Sequence, residues 1–171
     1  MTHSELVHLA AIWLRKHHRC SVVFTEMVTR SDIIPDAIGW RVDVRWSILI
    51  ECKISRADFC SDRSKRIHLD PENAPGQERW YLVPPGLVTP EEVPEGWFLA
   101  EAQPSGKIKK ITKFKGKEWE RPVLPMRSVQ EVPYLLSALR RHDLGIPFNP
   151  KTGRFRTFKE EKTLLLLKET E

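Results

Sequence analysis

The sequence predicts an α/β fold with a mixed central sheet flanked by helices. Three observations lead there. Helix-period and strand-like apolar runs alternate through the first half of the chain. Two of the strand-like runs flank the short polar interruption Arg41-Val42-Asp43-Val44-Arg45 and read as a hairpin. The second run, Ser47-Ile48-Leu49-Ile50, is continuously apolar after its serine, as expected of a central strand buried on both faces.

The chain has 171 residues, enough for one real core and too few for two full domains. Its net charge of +5 favours a polyanionic partner over an acidic small molecule. Cys20, Cys52 and Cys60 form no CxxC spacing. The first apolar run is short and is broken by Arg15-Lys16-His17-His18, so no secretory signal is read. No segment approaches the ~20 apolar residues of a membrane span. The expectation is a cytoplasmic protein with reduced thiols and no membrane partner.

Taken in order, Thr2-His3-Ser4-Glu5 has the form of a capping box, and Leu6, Leu9, Ala10, Trp13 and Leu14 follow helical spacing, predicting a helix from about His3 to His17. Ser21–Thr29 is rich in β-branched residues and reads as a strand. A hairpin over residues 36–53 has its midpoint between Asp43 and Val44. That register sets Asp36 opposite Glu51, with side chains about 5 Å apart. On the second strand Leu49, Glu51 and Lys53 share one face, while Ile48, Ile50 and Cys52 point the other way, into the core. Ser55-Arg56-Ala57-Asp58 starts a second helix running through Phe59 and Asp62 toward Arg66. A Pro- and Gly-bearing loop spans residues 70–77, and strands follow at 79–83 and 96–102. A Pro104-Ser105-Gly106 turn leads into a lysine-rich edge strand from Lys107. Ser128 caps a third helix whose Val132, Leu135, Leu136 and Leu139 line one face and whose stop is Gly145. Residues 1–146 are thus read as one domain, with a core at 3–83 and added elements at 84–146. Residues 147–171 are a basic-aromatic tail ending in the run Leu164–Leu167.

The chemistry concentrates at the hairpin. Two carboxylates directly opposite repel, and a divalent cation removes that cost. Asp36 and Glu51 offer only oxygen ligands, which suit Mg²⁺ or Mn²⁺. The main-chain carbonyl of Cys52, between Glu51 and Lys53, is a further candidate ligand. Lys53 stands one pleat repeat from Glu51, where it would orient a water or stabilise a developing phosphorane.

Asp36 preceded by Pro35, and Glu51-Cys52-Lys53 ending an apolar strand, together match a Pro-Asp…(Asp/Glu)-X-Lys signature. The chain therefore resembles the PD-(D/E)XK nuclease superfamily, with its restriction-endonuclease-like fold. Residues 3–83 follow that superfamily's core order of helix, three strands, helix and strand. The spacing is similar to that of small junction resolvases. The run Glu51–Phe59, with Asp62-Arg63 and Lys65 beyond, is similar to MmcB-type bacterial DNA repair proteins. The resemblance implies that Asp36 and Glu51 bind metal, that Lys53 is catalytic and that Glu5, on the first helix, assists. It gives no guidance beyond Val83.

Other readings stand beside these. Glu51 and Lys53 would also make a surface ion pair; the capping box explains Glu5 fully, and Glu26 competes as the third acid. Arg56, Arg63, Lys65 and Arg66 would contact phosphates or simply form a solvated helix face. The tail interleaves bases and aromatics as single-strand binders do, or docks on the domain. Its leucine run needs burial, on the domain or on a second copy in a homodimer. The expected function is Mg²⁺-dependent DNA hydrolysis in repair, recombination or phage DNA processing. On that reading Lys53→Ala is expected to keep the fold and abolish cleavage. The alternatives are an inactive nuclease-fold module that holds DNA or a protein, and an interaction protein acting through its C-terminal part.

Overall fold

The computed structural model describes residues 1–29, 33–41, 46–62, 74–112, 128–144, 146–149 and 151–155. Helix α1 (His3–Lys16) precedes strands β1 (Val22–Thr25), β2 (Ala37–Arg41) and β3 (Trp46–Cys52). Helix α2 (Arg56–Asp62), β4 (Glu78–Val83), a 3-10 turn (Pro90–Glu92), β5 (Trp97–Ala102) and β6 (Ile108–Lys110) follow. Helix α3 (Ser128–Asp143) and a small hairpin of β7 (Phe148–Asn149) and β8 (Arg154–Phe155) complete the described chain.

The first six strands form one sheet in sequence order. β1, β2 and β3 pair antiparallel, β3, β4 and β5 pair parallel, and β6 returns antiparallel on the edge. The sheet is mixed, as the sequence predicts, and β3 lies inside it with Ser47–Cys52 all buried. The hairpin register follows the sequence reading: Ala37 pairs with Ile50 and Arg41 with Trp46, so the next pair outward is Asp36 with Glu51.

Strand alternation divides the core into two layers. Ile48, Ile50 and Cys52 turn toward α1 and pack with Leu6, Ala10, Leu14, Trp80 and Leu82. Leu49 turns the other way and packs with Phe59 of α2, Tyr81, Val83 and Leu99. Both faces are therefore covered, which explains the unbroken apolar run of β3. Gly39 in β2 is where the N-terminal segment crosses closely: a Cβ there would lie 2.9 Å from Cys20 Sγ.

Two expectations are corrected. The first strand ends at Thr25 rather than Thr29, because Glu26 adopts a left-handed φ of 48° that cannot continue a ladder. On α3 the predicted apolar face is not the packed one. Leu136 and Leu139 are each 59% exposed, whereas Glu131, Tyr134 and Arg141 are buried. Glu131 accepts hydrogen bonds from Trp40 Nε1, Ser47 Oγ and Gly76 N–H, and the Tyr134 hydroxyl donates to the Ile33 carbonyl. Polar anchors thus set the rotation of this helix, against its apolar stripe. Of the two readings of the tail, its start takes the docked one: Thr25 N–H donates to the Gly153 carbonyl at 2.9 Å, and Phe148 and Phe155 pack on Phe24. Gly145, residues 113–127 and the Leu164–Leu167 run lie outside the described residues.

The edge lysines do more than guard the sheet. Lys110 Nζ sits over the indoles of Trp80 and Trp13, 5.3 and 5.7 Å from their centroids. Among the described residues no helix is long and apolar enough to cross a membrane.

Candidate functional site

The end of β3 is where an apolar strand turns ionic. Leu49 fills the α2-facing layer, and Glu51, two residues on, points the same way but is 4% exposed. Beside it, Asp36 ends the segment leading into β2, and its Oδ2 accepts the Cys52 N–H at 2.7 Å. This bond takes up a main-chain donor at the end of the ladder and holds the Asp36 carboxylate next to Glu51. Lys53, 2% exposed, lies just past the strand. Its Nζ is 3.0 Å from Glu51 Oε2 and 2.8 Å from Asp62 Oδ1. Asp62 ends α2, is fully buried, and accepts the Tyr81 hydroxyl hydrogen bond from β4 at 2.8 Å.

Electrostatics follow from burial. Loss of water, then the neighbouring Asp36 charge, pushes the Glu51 carboxyl up to about 7 despite the pull of Lys53. Burial by itself would lower the Lys53 ammonium, but Glu51 and then Asp62 outweigh it and hold Lys53 firmly charged. The Cys52 thiol is pushed well upward, first by burial and then by Asp36 and Glu51. It is a packing group on the α1 side, so only its main-chain carbonyl remains a ligand candidate.

Asp36, Glu51 and Lys53 are thus brought together as the sequence predicts. Glu5 is placed elsewhere: it is exposed, and its Oε2 accepts the Thr2 N–H at 2.7 Å in a completed capping box. The side chain of α1 that reaches the site is His3, whose Nε2 is 3.3 Å from Asp36 Oδ1. Glu26, the competing acid, pairs with Arg154 of β8 and lies 3.9 Å from His3 Nε2. Arg56 is committed to a bidentate pair with Glu92, at 2.8 and 2.6 Å, and to the Leu87 carbonyl. That pairing holds the Glu92 carboxyl down at about 2. Arg63, Lys65 and Arg66 lie outside the described residues.

Sequence reasoning missed His3, Asp62 and Tyr81 as members of the site. For Asp62 a signal was present. It stands three residues after Phe59, hence on the buried face of α2, where a carboxylate requires a partner. For His3 there was none, since a helix N-terminus does not announce which strand it will meet.

Among the described residues no three His, Cys, Asp or Glu side chains gather into a metal-holding group. Asp36 and Glu51 are a pair, and their oxygens suit a hard divalent ion that keeps several waters. Burial first, and then repulsion from Asp36, raises the Glu51 carboxyl, and such an ion would relieve the repulsion.

No family model and no curated protein matches the chain. Among solved structures it is similar to SPO1766, a protein of unknown function from Silicibacter pomeroyi, at 22% identity and a TM-score of 0.57. The match covers 81% of this chain and 86% of that one. At this identity the likeness bears on the α/β fold alone.

Proposed function

We propose that this chain is a metal-dependent nuclease with a restriction-endonuclease-like core, hydrolysing DNA phosphodiester bonds. The observation that carries the reading is the convergence of Asp36, Glu51 and Lys53 at the end of the central strand, with Asp36 bonded to the Cys52 main chain and Lys53 to Glu51. Asp36, Glu51 and the Cys52 carbonyl would hold Mg²⁺ or Mn²⁺, which supplies an acidified water and charge neutralisation at phosphate. Lys53, kept protonated by its two carboxylates, orients that water or meets the charge developing on phosphate. The net charge of +5 supports a nucleic-acid substrate. A role in repair, recombination or phage DNA processing belongs to the same proposal.

A second reading, a nuclease-fold module that binds DNA or a protein without cutting, is favoured by the near-complete burial of Glu51 and Lys53. A cleavage screen over labelled duplex, branched and single-stranded DNA, and RNA, with Mg²⁺ or Mn²⁺, separates the two. Lys53→Ala is a poor control on its own, because it leaves Glu51 and Asp62 buried without their cation, at a cost of about 3–5 kcal/mol. Glu51→Gln is isosteric and removes a carboxylate already disfavoured by burial. Cleavage is expected in the native chain only with metal, and is expected to vanish in Glu51→Gln. Absence of cleavage on every substrate, or full activity in Glu51→Gln, overturns the nuclease reading.

A further inference from the structure

The ammonium of Lys53 bridges two elements that the sequence separates. Glu51, two residues before it, is one anchor; Asp62, at the far end of α2, is the other. Asp62 is in turn fixed by the Tyr81 hydroxyl on β4. Tyr81 cannot readily shift, since it is fully buried, stacks on Trp97 with ring centroids 4.6 Å apart and meets the Phe59 ring edge-on at 5.0 Å. Phe59 lies one turn before Asp62 on α2, so one aromatic cluster locks both the helix and the tyrosine.

An ammonium has three donors in tetrahedral arrangement. Held by one carboxylate, it rotates about that bond and its other hydrogens sweep a cone. Held by a hydrogen bond to Glu51 and an ion pair to Asp62, it turns far less freely. We propose that Asp62, fixed by Tyr81, is a positioning residue that holds the Lys53 ammonium in place toward the reacting water or phosphate oxygen. This rests on the nuclease reading for what the ammonium meets, but not for its placement. The second anchor also has an electrostatic effect. Asp36, Glu51 and Asp62 against Lys53 leave two net negative charges when all are ionised, matching a divalent cation.

The test uses the full chain with Asp62→Asn, which keeps the size of the side chain and an oxygen for Tyr81 but removes the charge, and with Tyr81→Phe, which keeps the packing. Circular dichroism establishes that each is folded at the assay temperature. Two readouts follow. In cleavage assays with Mn²⁺, Asp62→Asn is expected to lower kcat by about tenfold to a hundredfold with KM nearly unchanged, the pattern of lost orientation. Tyr81→Phe is expected to lower kcat less, in the same direction. In heteronuclear NMR the Lys53 side-chain ammonium signal, assigned by its loss in Lys53→Arg, is expected to be protected from exchange in the native chain and lost in Asp62→Asn. Unchanged kcat in a folded Asp62→Asn, or a fall matched by KM, overturns the positioning role. An ammonium signal equally protected in both chains overturns it as well. If the native chain cleaves nothing, the nuclease reading fails, and the ammonium signal alone decides whether Asp62 holds Lys53.

Discussion

A single carboxylate at the end of β3 ties stability to pH. The folded-state pKa of Glu51 is raised to about 7, from an ordinary value near 4.5, by burial and by Asp36. The folded protein therefore holds a proton that the unfolded chain releases. The stability this contributes is fully present below pH 4.5 and is lost as pH rises through 7, a difference of a few kcal/mol. Glu51→Gln removes the dependence. Its melting temperature is expected to match the native value near pH 4.5 and to exceed it at pH 8, as read by thermal denaturation without metal. Adding Mn²⁺ at pH 8 is expected to raise the melting temperature of the native chain and leave Glu51→Gln unmoved, because binding to the folded state alone is stabilising. The opposite sign at pH 8 would mean that Lys53 outweighs burial at Glu51.

Elements are placed by the residues that bury, and α3 separates that rule from apolar patterning. Its leucines repeat at helical spacing and predict a packed face, yet Leu136 and Leu139 stay exposed while Tyr134 is fully buried beside Phe24 and Ile38. Tyr134→Ala is expected to cost about 3–5 kcal/mol, in line with deletion of a buried aromatic ring. Leu136→Ala is expected to stay within about 0.5 kcal/mol, as surface changes do. Urea titration of the two variants checks both, and a reversed order would restore the leucine face to the core. The reason the pattern misleads is chemical. Glu131 takes three hydrogen bonds from β2, β3 and the loop before β4, and a buried carboxylate with those donors fixes the rotation of the helix more firmly than leucines can. The groove beside α3, about 640 Å³ and lined by Val28, Pro133, Leu136 and Arg140, contains none of the site carboxylates.

For the whole molecule, the C-terminal hairpin is part of the domain rather than an appendage. It gives Thr25 its main-chain partner, covers Phe24 with two rings and sets Arg154 against Glu26, next to His3 and Asp36. A nuclease whose core lies within residues 3–83 would survive loss of residues 147–171. With this packing, that deletion is expected to cost a few kcal/mol, since an aromatic side chain returned to water forfeits about 1.5–3 kcal/mol. Chemical denaturation of the truncated chain, folded by circular dichroism, measures it. An unchanged midpoint would mean that the hairpin adds nothing to the domain.

What the sequence determined by itself is local and periodic. Order of elements, the mixed sheet, the burial of β3 on both faces and the register setting Asp36 beside Glu51 all follow from spacing within a short stretch of chain. A strand alternates its faces, and a hairpin midpoint fixes its partners. Only the tertiary structure decided which distant groups complete the site. Asp62 meets Lys53, Tyr81 holds Asp62 and His3 reaches Asp36 because packed helices and strands deliver them there. It also decided that Glu5 serves its own helix and Arg56 serves Glu92. The physical reason is that a buried charge must find its counter-charge in space, and separation along the chain does not constrain where that partner comes from.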